Sequence, residues 1–147
     1  HGDVKPDNIL VIKGKDDHIR FKLCDLDMIK TIGEKANMRE GSRLYMAPES
    51  NDREWVVDPS ADMFSLGMTI LDIGSIDSSE RLSDLYDSYH ISLNRKDKPE
   101  EMKHKIERLF EEIGENHQEY EKWDTIKGLT TINPKDRTTL EAFVEPS

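Results

Sequence analysis

The first ten residues, His1-Gly2-Asp3-Val4-Lys5-Pro6-Asp7-Asn8-Ile9-Leu10, hold the side chains best suited to chemistry. An aspartate, a lysine two positions on and an asparagine three beyond it run straight into an apolar stretch. A carboxylate with no evident cationic neighbour can accept a proton. A lysine can neutralise phosphate charge, and an asparagine oxygen can ligate a hard cation such as Mg²⁺. Held on one rigid loop, these are the parts for moving a phosphoryl group to a hydroxyl, where positioning and charge stabilisation carry most of the catalysis. A solvated polar turn has a similar composition, so the loop does not decide the matter by itself.

The elements around the loop must position it. Ile9-Leu10-Val11-Ile12 reads as a short buried strand and Lys13 to Asp17 as a turn. Ile19 to Cys24 alternates as a second strand, with Ile19, Phe21 and Leu23 on one face. Such a hairpin returns the chain to its start and lays Asp25 beside Asn8. Two oxygen ligands from adjacent loops suit Mg²⁺, which needs only one or two protein ligands besides substrate phosphates. Cys24 is expected as a small buried hydrophobe. From Asp27 to Glu40 the chain is polar and irregular, with Gly33 as a flex point, and residues 50 to 57 read as a connecting loop.

Further on, Asp58 caps a helix that has Pro59 at its first position. The stretch Met63 to Ile73 is apolar nearly all round, so that helix must be buried on most sides. Leu82, Leu85, Tyr86 and Tyr89 follow helical spacing, as do Met102, Ile106, Leu109, Phe110 and Ile113 after an entry at Pro99. Both sets are expected as packing faces, with a charged, exposed segment from Ser92 to Lys98 between them. Asn116 with Glu119 predicts the capped start of a helix through Tyr120, Trp123, Ile126 and Leu129, which Pro134 ends. Thr138-x-x-Glu141 predicts the cap of a last helix.

Several of these stretches together resemble the protein kinase family. His1-x-Asp3-x-Lys5-Pro6-x-Asn8 looks like the catalytic loop of eukaryotic protein kinases, in the Lys-Pro form of the serine/threonine branch. Gly41-Ser42-Arg43-Leu44-Tyr45-Met46-Ala47-Pro48-Glu49 resembles an activation segment closing on Ala-Pro-Glu, and Asp62-x-x-Ser65-x-Gly67 resembles the central helix of the larger lobe. Trp123-x-x-Ile126 followed by Pro134-x-x-Arg137 continues the pattern. The resemblance implies a protein kinase-like α+β fold, entered partway: residues 1–147 as a mostly α-helical C-terminal lobe with a small β-hairpin at the cleft. It also implies that the chain is a fragment, not competent alone, of an ATP- and Mg²⁺-dependent serine/threonine kinase acting on protein substrates.

Residue by residue, the resemblance makes Asp3 the group that accepts or orients the substrate hydroxyl's proton and Lys5 the one that steadies the phosphate. Asn8 and Asp25 would hold Mg²⁺, Leu10 would lie beneath the adenine, and Ser42 would help fix Asp3 and Lys5. Asp62 would reach back to the backbone of the catalytic loop, and Arg137 would pair with Glu49. Two departures stand out. Asp25-Leu26-Asp27 replaces Asp-Phe-Gly, so Asp27 stands where a glycine can take positive φ. Gly2 stands where many members carry an arginine that receives a phosphate on the activation segment, and Ile32 to Gly41 contains no serine, threonine or tyrosine to carry one.

Composition narrows the partners. Across 147 residues, 31 acidic against 21 basic side chains leave a formal net charge of −10, with no basic stripe for nucleic acid or an anionic membrane. The apolar run at Met63 to Ile73 is too short to span a bilayer. One cysteine and no visible secretory signal fit a reducing, intracellular and cytoplasmic setting. His18, His90, His104 and His117 show no zinc-like spacing. The rival readings are a pseudokinase or scaffold that binds partners without catalysis, and a helical interaction protein that would leave the ordered motifs unexplained.

Overall fold

The computed structural model describes residues 1–15, 17–36, 41–52, 54–75, 99–116 and 123–144. The expected helix through Leu82 to Tyr89, the segment Ser92 to Lys98, and Glu119 and Tyr120 lie outside them. Among the described residues, two antiparallel strands, β1 (Ile9–Lys13) and β2 (Ile19–Leu23), are followed by four helices: α1 (Pro59–Gly74), α2 (Pro99–Asn116), α3 (Trp123–Leu129) and α4 (Leu140–Val144). Short 3₁₀ turns at Pro6–Asn8, Pro48–Asn51 and Pro134–Asp136 each begin with proline, whose fixed φ suits a first helical position.

Helix α1 is the element on which α2 and α3 pack. Asp58 caps it, its carboxylate accepting the Ser60 amide at 2.9 Å, with Pro59 at the first position. Met63, Phe64, Met68 and Leu71 are buried, as the apolar sequence requires. Two of its hydroxyls bond to carbonyls, Ser65 Oγ donating to those of Tyr45 (2.8 Å) and Ala61 (3.1 Å) and Thr69 Oγ1 to that of Ser65 (2.8 Å), while the buried Ser60 Oγ has no partner among the described residues. Helix α2 buries Ile106, Leu109, Phe110 and Ile113, one face at intervals of three and four, against Phe64, Met68 and Leu71. Trp123 of α3 meets Phe110 edge to face at 5.1 Å. Gly67 lets α3 approach: a β-carbon there would lie 2.7 Å from Thr130 Cγ2 and 2.8 Å from Leu129 Cβ.

The hairpin departs from expectation. Its register pairs Ile9 with Leu23, Val11 with Phe21 and Lys13 with Ile19, so Ile19, Phe21 and Leu23 do share a face. Yet β1 is not a buried strand. Leu10, Val11 and Ile12 are exposed, and Phe21 is 72% exposed. Apolar alternation reports which residues share a face; burial needs a second layer, and among the described residues none lies over this sheet. Cys24 is half-buried instead of buried, its Sγ 3.3 Å from the Asn8 carbonyl.

Four further expectations are corrected. Gly33 is not a free flex point, and residues 50 to 57 are not merely a connecting loop. Gly33 N donates to Val57 O (2.9 Å), Val57 N to Glu34 O (2.9 Å) and Ala36 N to Trp55 O (3.4 Å), a short antiparallel ladder. Asn116 is the last residue of α2, not a cap opening the next helix. At α4 the capping hydroxyl is Thr139, accepting the Ala142 amide at 3.3 Å, while Thr138 Oγ1 donates to the Thr125 carbonyl.

Candidate active site

The first residues are held in place from beneath. Val4 is buried, and Asp62 of α1 accepts the Gly2 amide at 2.9 Å and the His1 amino group at 2.6 Å. The expected reach of Asp62 to this loop is therefore present. The Asp62 carboxylate is only partly buried, and two consecutive nitrogens at the start of the loop satisfy one oxygen each. The His1 ring links two loops: the Asp3 amide donates to Nδ1 (3.3 Å), which leaves the proton on Nε2, donated to the Cys24 carbonyl (3.0 Å).

On this support Asp3, Lys5 and Ser42 close a ring. Lys5 Nζ lies 2.9 Å from Asp3 Oδ2 and donates to Ser42 Oγ at 2.7 Å, while the Ser42 amide donates to Asp3 Oδ1 at 2.7 Å. The contacts bridge 39 positions of sequence. Asp3 is thus not the unpinned carboxylate that the sequence implied. The backbone at Lys5 is extended (φ −161°, ψ 165°), and side chains two apart in an extended chain fall on one side. Burial pushes the Asp3 carboxyl up, but hydrogen bonds from Lys5 and Ser42 and the Lys5 charge outweigh it and hold the group below the ordinary carboxylate value. The Lys5 ammonium is raised in turn, chiefly by its bond to Asp3. Such a pair is charged at neutral pH, which suits Asp3 to orienting a hydroxyl more than to storing its proton.

Asn8, buried at the end of the first 3₁₀ turn, donates Nδ2 to the Asp3 carbonyl (2.8 Å) and to Asp3 Oδ2 (3.1 Å). An amide held by its nitrogen has its oxygen to offer a further ligand. The hairpin carries Asp25 back to this place, as the sequence predicts: Ile9 pairs with Leu23 and the Cys24 amide donates to Asn8 O at 2.9 Å. Asp25 is exposed and adopts φ +61°. The left-handed conformation therefore falls on Asp25, an aspartate that tolerates it, and not on Asp27, where the missing glycine raised concern. Among the described residues no three His, Cys, Asp or Glu side chains cluster as a metal site. A cation shared between Asn8, Asp25 and phosphate oxygens does not require one, so the donor set fits Mg²⁺. Leu10 lies on the opposite face of β1 from Val11 and is half exposed.

Two contacts tie the 41–49 segment to the helices. Tyr45 donates its hydroxyl to Asp72 Oδ2 at 2.7 Å, and its own ionisation is pushed up by burial and by that carboxylate. Glu49 meets Arg137 in the expected bidentate pair.

A family model described as "protein kinase domain" matches residues 1–147. The chain belongs to the protein kinase family. It is 30% identical over 162 residues to the probable serine/threonine-protein kinase fhkA of Dictyostelium discoideum, covering 96% of this chain and 27% of that protein. It is 39% identical over 72 residues to the serine/threonine-protein kinase dkf-2 of Caenorhabditis briggsae, covering 48% of this chain and 6% of that protein. Against myosin light chain kinase A of D. discoideum the figures are 34% over 70 residues, 46% and 23%. The kinase chain thus spans about a quarter or less of the length of these relatives. No solved structure gives a significant match. Among the described residues no helix is long and apolar enough to cross a membrane.

Within the kinase chain, sequence reasoning singled out Asp3, Lys5, Asn8 and Ser42, and these side chains meet; Asp25 is brought to their edge by the hairpin. It assigned no role to the His1 ring. The available signal was its position two residues before Asp3, close enough for one ring nitrogen to take that residue's amide.

Proposed function

We propose that residues 1–147 are the C-terminal lobe of a serine/threonine protein kinase. On this reading the full-length protein transfers the terminal phosphoryl group of ATP to serine or threonine hydroxyls of protein substrates. The observation that carries it is the closed Asp3–Lys5–Ser42 ring, which joins the catalytic loop to the segment expected to border the acceptor. ATP with Mg²⁺ supplies the phosphoryl group and neutralises the charge that gathers on it. Asp3, ionised and pinned, receives the acceptor hydroxyl as a hydrogen-bond donor and fixes its direction. Lys5 sets a positive charge at the same point, where a developing negative charge is stabilised by a preorganised cation. Ser42 holds both in register, Asn8 and Asp25 hold Mg²⁺, and Leu10 offers an apolar surface to the adenine.

The reading is tested with the full-length protein, labelled ATP and a library of serine- and threonine-containing peptides. Asp3→Ala is expected to lower transfer by about 10²–10⁴-fold, the range for a positioned acid–base group. Asp25→Ala is expected to abolish transfer with only a small fall in melting temperature, because the side chain is exposed while alanine tolerates φ +61° less well than aspartate. Tight peptide binding with no transfer under any condition would favour the scaffold reading.

A further inference from the structure

Two glycines bring the backbone of the catalytic loop against that of the 41–49 segment. Gly2 has φ +82° and Gly41 φ +109°, conformations that L side chains rarely adopt. A β-carbon on Gly41 would lie 2.8 Å from the Gly2 carbonyl oxygen and 3.7 Å from Asp3 Oδ1. A β-carbon on Gly2 would lie 2.7 Å from the Met28 carbonyl oxygen. Three backbones therefore converge on Gly2: its own loop, the turn that follows Asp25, and the end of the segment that carries Ser42. The obstructing atoms are backbone carbonyls, which no rotamer change can move aside.

We infer that Gly41, seated on the Gly2 carbonyl, is a positioning residue for phosphoryl transfer, setting the Ser42 amide on Asp3. The inference rests on the kinase reading for its catalytic consequence but not for its geometry. The Ser42 amide reaches Asp3 Oδ1 at 2.7 Å because the residue before it lies flat against the loop. A methyl group at position 41 must lift that residue off the Gly2 carbonyl, and the amide next to it moves as well. Asp3 then loses one of the bonds that aim its carboxylate, and Lys5 loses its alignment with the Ser42 hydroxyl.

Gly33 separates this effect from simple backbone strain. Its φ is +86°, close to that of Gly2, yet a β-carbon there meets nothing within 4 Å. Gly33→Ala thus carries the conformational penalty without the collision. In the full-length protein, Gly41→Ala is expected to lower kcat by about a hundredfold, the cost of an ångström-scale misplacement, with the KM for ATP unchanged. Hydrogen exchange at the Ser42 amide should accelerate at the same time. Gly33→Ala strains the ladder to residues 55–57 but meets no backbone at the loop, so it should leave the Ser42 amide protected and cost kcat far less than Gly41→Ala. Should Gly41→Ala fail to fold, Gly2→Ala is expected to speed exchange at the same amide, because its β-carbon meets the Met28 carbonyl and so displaces the Gly2 carbonyl under Gly41. A protected amide in that variant would sink the inference. Wild-type kcat with a protected Ser42 amide in Gly41→Ala would overturn the inference. So would equal losses in Gly33→Ala and Gly41→Ala. If the unsubstituted protein transfers no phosphoryl group, the kinase reading fails, while amide exchange still decides whether Gly41 positions Ser42.

Discussion

Arg137 closes on Glu49 across 88 positions of sequence, with Nη1 2.6 Å from Oε1 and Nη2 3.1 Å from Oε2. The rest of the guanidinium is used as well: Nε donates to the Thr131 carbonyl (2.9 Å), Nη1 to that of Ser60 (2.8 Å) and Nη2 to that of Ile132 (3.2 Å). The Arg137 side chain is wholly buried, with its charge 5.0 Å from the centre of the Phe64 ring. Removing one partner of a buried pair strands the other's charge and its bonded carbonyls, at a cost on the order of 3–5 kcal/mol. Arg137→Ala is expected to destabilise the fold by that amount in denaturant unfolding. A change of a few tenths of a kcal/mol, the scale of an exposed pair, would contradict the buried site.

The second prediction concerns pH. The Asp3 carboxyl is held below its ordinary value, so the stability it contributes is present above the unfolded carboxylate range and is lost as pH falls through the depressed folded value. The Lys5 ammonium is raised, so its contribution is present below the ordinary lysine value and lost as pH rises through the folded one. Between these limits the pair stays charged, and transfer is expected to show no inflection from Asp3 near neutrality. Lys5→Met removes the cation and leaves burial to act on Asp3, so the acid limb of the rate profile should move to higher pH. An unmoved limb would mean that Lys5 does not pin Asp3.

Much of this arrangement is legible in the sequence, and the limits have physical causes. Glu49 and Arg137 could be paired on paper because each sits in a recognisable run, and Asp58-Pro59 marks the start of α1 through local rules of capping. The ladder between residues 33–36 and 55–57 has no such local mark: its partners are 20 or so positions apart and only the folded chain brings them together. Thr138 and Thr139 offer the same hydroxyl in adjacent places, and which one caps α4 depends on the Thr125 carbonyl that takes the other. Lys5 was assigned to phosphate alone because a motif names side chains without their directions; the extended backbone at Lys5 decides that it meets Asp3 as well.

The third prediction follows from the hairpin. Val11 is 64% exposed, Ile19 60% and Phe21 72%, all on one face. The apolar face of α1 is largely closed by α2, so the sheet is the exposed patch. Contiguous exposed apolar surface promotes association. The 147-residue chain is expected to self-associate in sedimentation experiments and to bind a hydrophobic dye, and Phe21→Lys should reduce both. A monomer that binds no dye would contradict this.

The last prediction concerns control of the 41–49 segment. Ile32 through Gly41 offers no hydroxyl to a kinase, and Gly2 has no side chain to receive a phosphate. Ser42 is already engaged, its amide on Asp3 and its hydroxyl with Lys5. The order that phosphorylation would otherwise create through new charge-assisted bonds has a different source here. Upstream, the segment is laced to residues 55–57 by backbone bonds from Gly33, Ala36 and Val57, with Lys35 on Glu54 at 2.9 Å. That ion pair is exposed and adds little by itself, so the ladder is the larger part of the restraint. Downstream, Tyr45 is fixed on Asp72 and Glu49 on Arg137. The described residues on both sides are thus held by contacts that need no phosphate. Phosphatase treatment of the full-length protein is therefore expected to leave its transfer rate unchanged. Loss of most activity on dephosphorylation, mapped to residues 26 to 48, would show that the ladder does not suffice.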